Sequence, residues 1–329
     1  MQRLSIAVIG TGLIGGSILL RLRGKDYNVM GWDPDPATAA LAVHSGLPFT
    51  THLEEALRGR DVAFLAAPQS VLPDSLVEVA KHAGERCILT DVGGAKQSLS
   101  EHAARHGLGH RFVPGHPMAG TERSGLAAAS ASLLRGCAWV LCPGEPLDAF
   151  RLVATLLIDA FEARVVPMRP ALHDVVVALS SHVPHVLAGA LASTVARSRL
   201  RAAVLSLAAG SFHGTTRVAG TPTQVIVDMM SENRDALKGQ LASVRDTLEE
   251  LIAAIDDEER ATQLLAEARQ VRRDVEERSL VPRDMRFGPD EGAAEEEFLV
   301  GVGSRGGYLT RCETGVSGIA YTALHTPGG

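Results

Sequence analysis

The sequence predicts an α/β protein, a doubly wound parallel sheet followed by an all-α half, and three observations carry that reading. Strand-like apolar runs alternate with helical stretches up to about residue 169. The first of those strands runs straight into a glycine-spaced turn and a helix. Beyond Ala171 the strand pattern stops and long helical periodicity replaces it.

The elements follow in order. Ile6 to Gly10 is an apolar, β-branched run, the pattern of a fully buried strand. Gly10, Gly12 and Gly15 then make G-x-G-x-x-G, and Ser17 to Leu22 continue at helical spacing. A dinucleotide needs this order. Gly10 makes the tight turn, Gly12 lets a pyrophosphate approach the backbone, and Gly15 lets helix pack on strand. The helix N-terminus at Leu13 and Ile14 offers N–H groups and a partial positive charge to a phosphate. A second strand, Tyr27 to Trp32, ends in Asp33 about 20 residues on, where a carboxylate suits ribose hydroxyls and repels a 2′-phosphate. NAD is therefore expected over NADP, and residues 1–169 are expected to form a Rossmann-type domain.

A helix from Pro36 to about Ser45, a strand from Asp61 to Pro68, a helix from about Val71 to Ala83 and a strand from Cys87 to Asp91 follow. Phe112 to Pro117 starts as a strand and then turns. Ala138 to Pro143 and Ala163 to Pro167, separated by a helix near 147–161, are expected to complete the same sheet. Ligands of such sheets bind beyond the carboxyl ends of the strands, which nominates Pro68, Asp91, Gly93 and His116.

Residues 170–280 are expected to be a helical substrate and dimerisation domain. Its helices run from His173 to about Arg199 (kinked at Pro184, which frees backbone carbonyls), from Leu200 to Ala209 ending at Gly210, from Gln224 to Ile255, and from Asp256 to Arg278. Their apolar stripes need covering, so a homodimer is expected. From residue 281 to 329 the periodicity is lost. This Gly-rich tail, with Glu295, Glu296 and Glu297 in a row, is expected to be partly disordered, with Phe298 to Val302 as one strand.

Composition narrows the partners. A formal charge of −6 gives no electrostatic ground for nucleic acid or an anionic membrane. Four cysteines without a C-x-x-C pair predict buried free thiols in a reducing compartment. The first strand starts at the N-terminus, and no unbroken apolar run approaches about 18 residues, so neither a signal peptide nor a membrane span is expected and the cytoplasm is the expected location. No metal is expected: His182 and His185 lack a third ligand. His102 and His106 read as a solvated helix face.

Four stretches together resemble the prephenate/arogenate dehydrogenase family: Gly10 to Ser17 (GTGLIGGS), Asp91 to Lys96 (DVGGAK), Gly115 to Gly125 (GHPMAGTERSG) and Ser181 to His185 (SHVPH). Thr216 to Ala219 (TRVA) adds a fifth, and the similarity spans about residues 4 to 255. The resemblance implies NAD-dependent oxidative decarboxylation of a cyclohexadienyl acid on the route to tyrosine. Hydride leaves ring C4, the C4 hydroxyl proton must be held, and CO2 departs as the ring becomes aromatic. It gives the C4 hydroxyl to His116, a substrate carboxylate to the planar fork of Arg217, and the side chain or nicotinamide to Ser181, His182 and His185. Prephenate, arogenate and 4-amino-4-deoxyprephenate are the candidate substrates; a nucleotide-binding regulator without catalysis is the reading from another class. The chain departs from the family pattern at Gly94, where many members carry Ser, so water or Ser98 would have to substitute. Phe212 to Arg217 lacks the family's Arg–Asp pair, and no aromatic follows Thr216 to Ala219 within Thr221 to Val225.

Overall fold

The structure is a computed structural model that describes residues 4–121, 123–316 and 318–327. The chain divides into two compact units, residues 1–173 with 282–325, and residues 174–281 with 326–329.

In the first unit, β1 (Ser5–Ile9), α1 (Leu13–Gly24), β2 (Asn28–Trp32), α2 (Pro36–His44), α3 (Leu53–Leu57), β3 (Val62–Leu65), α4 (Leu72–His82), β4 (Ile88–Asp91), α5 (Gln97–Arg105) and β5 (Phe112–Val113) build a parallel sheet of order β2-β1-β3-β4-β5. β1 lies at its centre between β2 and β3, and Ile6, Ala7, Val8, Val62, Ala63 and Phe64 are wholly buried. That burial on both faces is why these strands read as unbroken apolar runs.

The sheet stops earlier than the sequence suggests. At Pro114, which has no amide hydrogen for a ladder, the chain leaves the first sheet. β6 (Gly115–Pro117) then runs antiparallel to β7 (Ala138–Leu141), which pairs in parallel with β8 (Arg164–Pro167) after α6 (Asp148–Phe161). These strands belong to a second, six-stranded mixed sheet of order β6-β7-β8-β10-β11-β9.

Its other half is the tail. Residues 281–325 are not disordered but form β9 (Val281–Phe287), α14 (Gly292–Ser304), β10 (Tyr308–Gly315) and β11 (Gly318–His325), with β10 antiparallel to both β8 and β11. Phe298, Leu299 and Val302 are the buried face of a helix rather than a strand, their spacing being three to four residues. Glu295, fully buried, accepts hydrogen bonds from Arg151 Nε at 2.9 Å and from the Tyr321 hydroxyl, and pairs with a second Arg151 nitrogen. One buried carboxylate thus ties the tail to α6.

The second unit is all helical. α7 (Pro170–Val177) leads into a π-helical turn, Ala178–His182, and then α8 (Val183–Arg197), α9 (Arg201–Ser206), α10 (Gly210–Thr216), α11 (Thr223–Glu232), α12 (Arg234–Ala253) and α13 (Glu258–Glu276). The interruption expected at Pro184 is this wide turn, which accommodates a residue that cannot donate to the helix ladder. Gly210 begins a helix rather than ending one, and the helix expected over 224–255 breaks at Asn233. The continuous helical run Pro170–Arg197, 28 residues with mean hydropathy 1.6, is long and apolar enough to cross a membrane by length and composition, which corrects the expectation of no such stretch. The run carries His173, Asp174 and His182, all buried.

Candidate active site

The glycine turn is built by close approach. Gly10 has φ of +89°, and a Cβ there would lie 2.7 Å from the Ala66 carbonyl oxygen; one on Gly15 would collide with the Gly10 carbonyl at 1.9 Å. Gly12 is different: among the described residues, chain neighbours and its own helix aside, no atom lies within 4 Å of where its Cβ would be. The fold itself therefore does not require glycine at position 12, whereas a ligand approaching that backbone does. Gly12 caps α1 without any side-chain hydrogen bond, leaving the amides of Leu13 and Ile14 at an uncapped helix start. Asp33, half-buried at the end of β2, accepts from the Thr11 amide at 2.6 Å and hydroxyl at 3.2 Å, and from the Asp35 amide at 3.0 Å. Both Thr11 bonds fall on Oδ2, so Asp33 braces the turn with that oxygen while Oδ1, which accepts only from Asp35, keeps a lone pair for a ribose hydroxyl. These residues fit a dinucleotide.

Pro68 is exposed just beyond β3, at the start of the short turn Gln69–Val71, and Gly93 lies against Gln69 and Leu72. Asp91 is a correction. It is fully buried, and its carboxylate takes the Gly93 amide at 2.8 Å, the Gly115 amide at 3.0 Å and the buried Lys96 ammonium. Lys96 also donates to the Gly115 carbonyl at 2.9 Å. No face of Asp91 is left for a cofactor; this pair instead fixes the start of β6, and with it His116. Sequence reading named Lys96 only as part of a motif.

His116 is half-buried on β6, with Nδ1 3.0 Å from Nε2 of the fully buried His173. Its holding partner in the structure is thus His173, whereas Ser98 is exposed on α5 and Gly94 has no side chain. Among the described residues, chain neighbours aside, no atom lies within 4 Å of a Cβ at Gly94. Glu122, part of the same motif, lies outside the described residues. His102 on α5 and His106 just after it stack at 4.2 Å, but among the described residues His102 Nε2 is buried without a partner, so that face is only partly solvated.

In the second unit His182 ends the π turn and is buried, and His185 Nδ1 lies 2.9 Å from the Ser181 carbonyl. A carbonyl only accepts, so His185 carries its proton on Nδ1. The Asn233 amide nitrogen donates to the Asp174 carbonyl at 2.8 Å and lies 3.2 Å from His182 Nδ1. His182 Nδ1 is therefore an acceptor and its proton sits on Nε2. The buried Asn233 was not singled out from sequence, its only signal being a helix-breaking residue inside an apolar-periodic run. Arg217 opens the short turn Arg217–Gly220 after α10.

Comparison with known proteins agrees with this fold. The family model described as "Prephenate dehydrogenase, nucleotide-binding domain" matches residues 17–166, and "Prephenate dehydrogenase, dimerization domain" matches residues 169–269. The prephenate dehydrogenase of Bacillus subtilis is 32% identical over 268 residues, covering 77% of this chain and 68% of that protein. The cyclohexadienyl dehydrogenase of Zymomonas mobilis is 31% identical over 258 residues, 76% and 88% of the two chains. The crystal structure of A. aeolicus prephenate dehydrogenase in complex with hydroxyphenyl propionate and NAD+ superposes with a TM-score of 0.74 at 28% identity, covering 84% of this chain and 99% of that one. A Rossmann-like parallel sheet that opens on a glycine turn and is followed by a helical unit, together with these matches, places the chain in the prephenate/arogenate dehydrogenase family, the oxidoreductases of tyrosine biosynthesis.

Proposed function

We propose that the chain is an NAD-dependent prephenate dehydrogenase, forming 4-hydroxyphenylpyruvate and CO2 as a cytoplasmic homodimer joined through its helical unit. The observation that carries this reading is His116, held by a buried partner on the strand that Asp91 and Lys96 position. When bound, NAD accepts the hydride from ring C4. The amides of Leu13 and Ile14 hold its pyrophosphate, with Gly10, Gly12 and Gly15 allowing the approach, Asp33 holds the ribose, and Pro68 and Gly93 line the path beyond β3 and β4. His116 takes a hydrogen bond from the C4 hydroxyl and stabilises the charge that develops as the carbonyl forms. Arg217 grips a substrate carboxylate through its fork, and Ser181, His182 and His185 orient the side chain.

The proton placement on His182 favours prephenate over arogenate: an N–H donor suits a keto acid, whereas an ammonium calls for an acceptor. The dimer is supported by the family's dimerization domain and by the exposed apolar side chains of that unit, which also account for the apolar run Pro170–Arg197 without a membrane. An absorbance assay of NADH formation with prephenate, arogenate and 4-amino-4-deoxyprephenate side by side tests the substrate. His116→Asn should lower kcat by about 10³-fold with NAD affinity intact. Unchanged turnover in that variant overturns the role of His116.

A further inference from the structure

The loop after β4 carries two glycines in a row, Gly93 and Gly94, and a glycine pair has more conformations to lose than any other. Two side chains hold it. Gln69, in the short turn that follows Pro68, sets its amide against the backbone of the buried Ala95: Nε2 donates to the carbonyl at 3.3 Å and Oε1 accepts from the amide at 3.4 Å. One side chain thus satisfies both backbone groups of a buried residue, as a neighbouring strand would. A Cβ on Gly93 would lie 2.1 Å from Gln69 Oε1, 2.6 Å from Leu72 Cδ1 and 3.0 Å from Asp91 Oδ2. Glycine is therefore required at 93 by the two polar groups that close on it. Asp91 carries the line onward, accepting from the Gly93 amide through Oδ2 and from the Gly115 amide through Oδ1. His116 is the next residue of β6.

We propose that Gln69 is a positioning residue: it pins the Gly93–Ala95 loop against Asp91, so that the turn at Pro68 and the strand bearing His116 move as one piece. The inference rests on the function proposed above, in which Pro68 and Gly93 line the path of NAD. Cofactor seated on the Pro68 turn then bears on Gln69, and through Ala95, Gly93 and Asp91 on the placement of His116. Hydride transfer is sensitive to the distance between the nicotinamide and the ring carbon that His116 holds, so a slack loop costs rate as well as affinity. Gln69 suits the task because its amide offers one donor and one acceptor side by side, matched to one residue's carbonyl and N–H.

The test uses the full-length protein and Gln69→Met, which keeps the length of the side chain and removes both hydrogen bonds. In steady-state kinetics Gln69→Met should raise KM for NAD about tenfold and lower kcat about tenfold, with KM for prephenate within about threefold. The second reading is ¹H–¹⁵N NMR of ¹⁵N-histidine-labelled protein, the His116 signals being assigned by their loss in His116→Asn. The probe is ADP-ribose, which lacks the nicotinamide ring and so cannot reach His116 through it. Saturating ADP-ribose should shift the His116 ring signals in the wild type. In Gln69→Met it should still bind by calorimetry, about tenfold more weakly, and leave those signals in place. His116 signals unmoved by ADP-ribose in the wild type, the same shift in Gln69→Met, or a Gln69→Met kcat within twofold of wild type each overturns the proposal. Should Gln69→Met not fold, Gln69→Glu, which sets an oxygen against the Ala95 carbonyl, is read in the same two ways and decides it. Loss of the proposed function would show separately, as a His116→Asn enzyme that still turns over.

Discussion

The two units dispose of their apolar side chains in opposite ways. The first buries them: β1, β3 and the inner face of α6 are sealed inside. The second leaves Leu248, Ile252, Ile255, Leu265, Val271 and Val275 between 52% and 74% exposed along α12, α13 and the turn joining them. A helix pair with so thin a buried share is completed by something outside it, and a stripe on two long helices suits a second copy. The first unit is thus complete as a nucleotide-binding body, while the second is half of an assembly.

The sharpest way to break that comparison is inside the first unit. Glu295→Ala strips the buried partner from Arg151 and Tyr321 and should cost about 3–5 kcal/mol in urea unfolding. A loss below about 1 kcal/mol would mean the tail adds little to that body. Next, Leu248→Glu with Ile252→Glu places four carboxylates across the proposed dimer seam. It should weaken association by roughly 3 kcal/mol, about 10²-fold, in sedimentation equilibrium, with the first unit still folded. An unchanged dimer would put the seam elsewhere. Arg217→Ala should raise KM for prephenate by about 30-fold, about 2 kcal/mol, and leave NAD affinity alone, separating what each unit binds.

The smallest effect is alkaline. Burial pushes the thiols of Cys87, Cys137 and Cys312 from 9.0 up to about 11, and it raises Tyr321 as well. These acids are held neutral in the folded protein, so their contribution is whole below pH 9.0 and is lost as pH climbs toward 11. All four lie in the first unit, and the second has no cysteine. Between pH 8 and 9 the first unit should lose about 1 kcal/mol of stability, read from urea midpoints, with no matching loss in the helical unit.

The glycine turn, Asp33 and the strands before Pro114 were legible because each depends on neighbours in sequence: a positive φ, a helix start, an apolar run buried on both faces. Asp91 was misread for the opposite reason. A carboxylate at a strand end looks the same whether it meets a ribose or a buried lysine, and only packing puts Lys96 and two amides around it.

The sequence by itself determined the nucleotide-binding half and the family and nominated His116, since short motifs encode local backbone geometry and chemistry. The tertiary structure alone decided that residues 281–325 complete the second sheet against β8, that Asn233 places the proton on His182, and that His173 stands behind His116. Those are contacts between residues 51 to more than 100 positions apart, and no local periodicity records them.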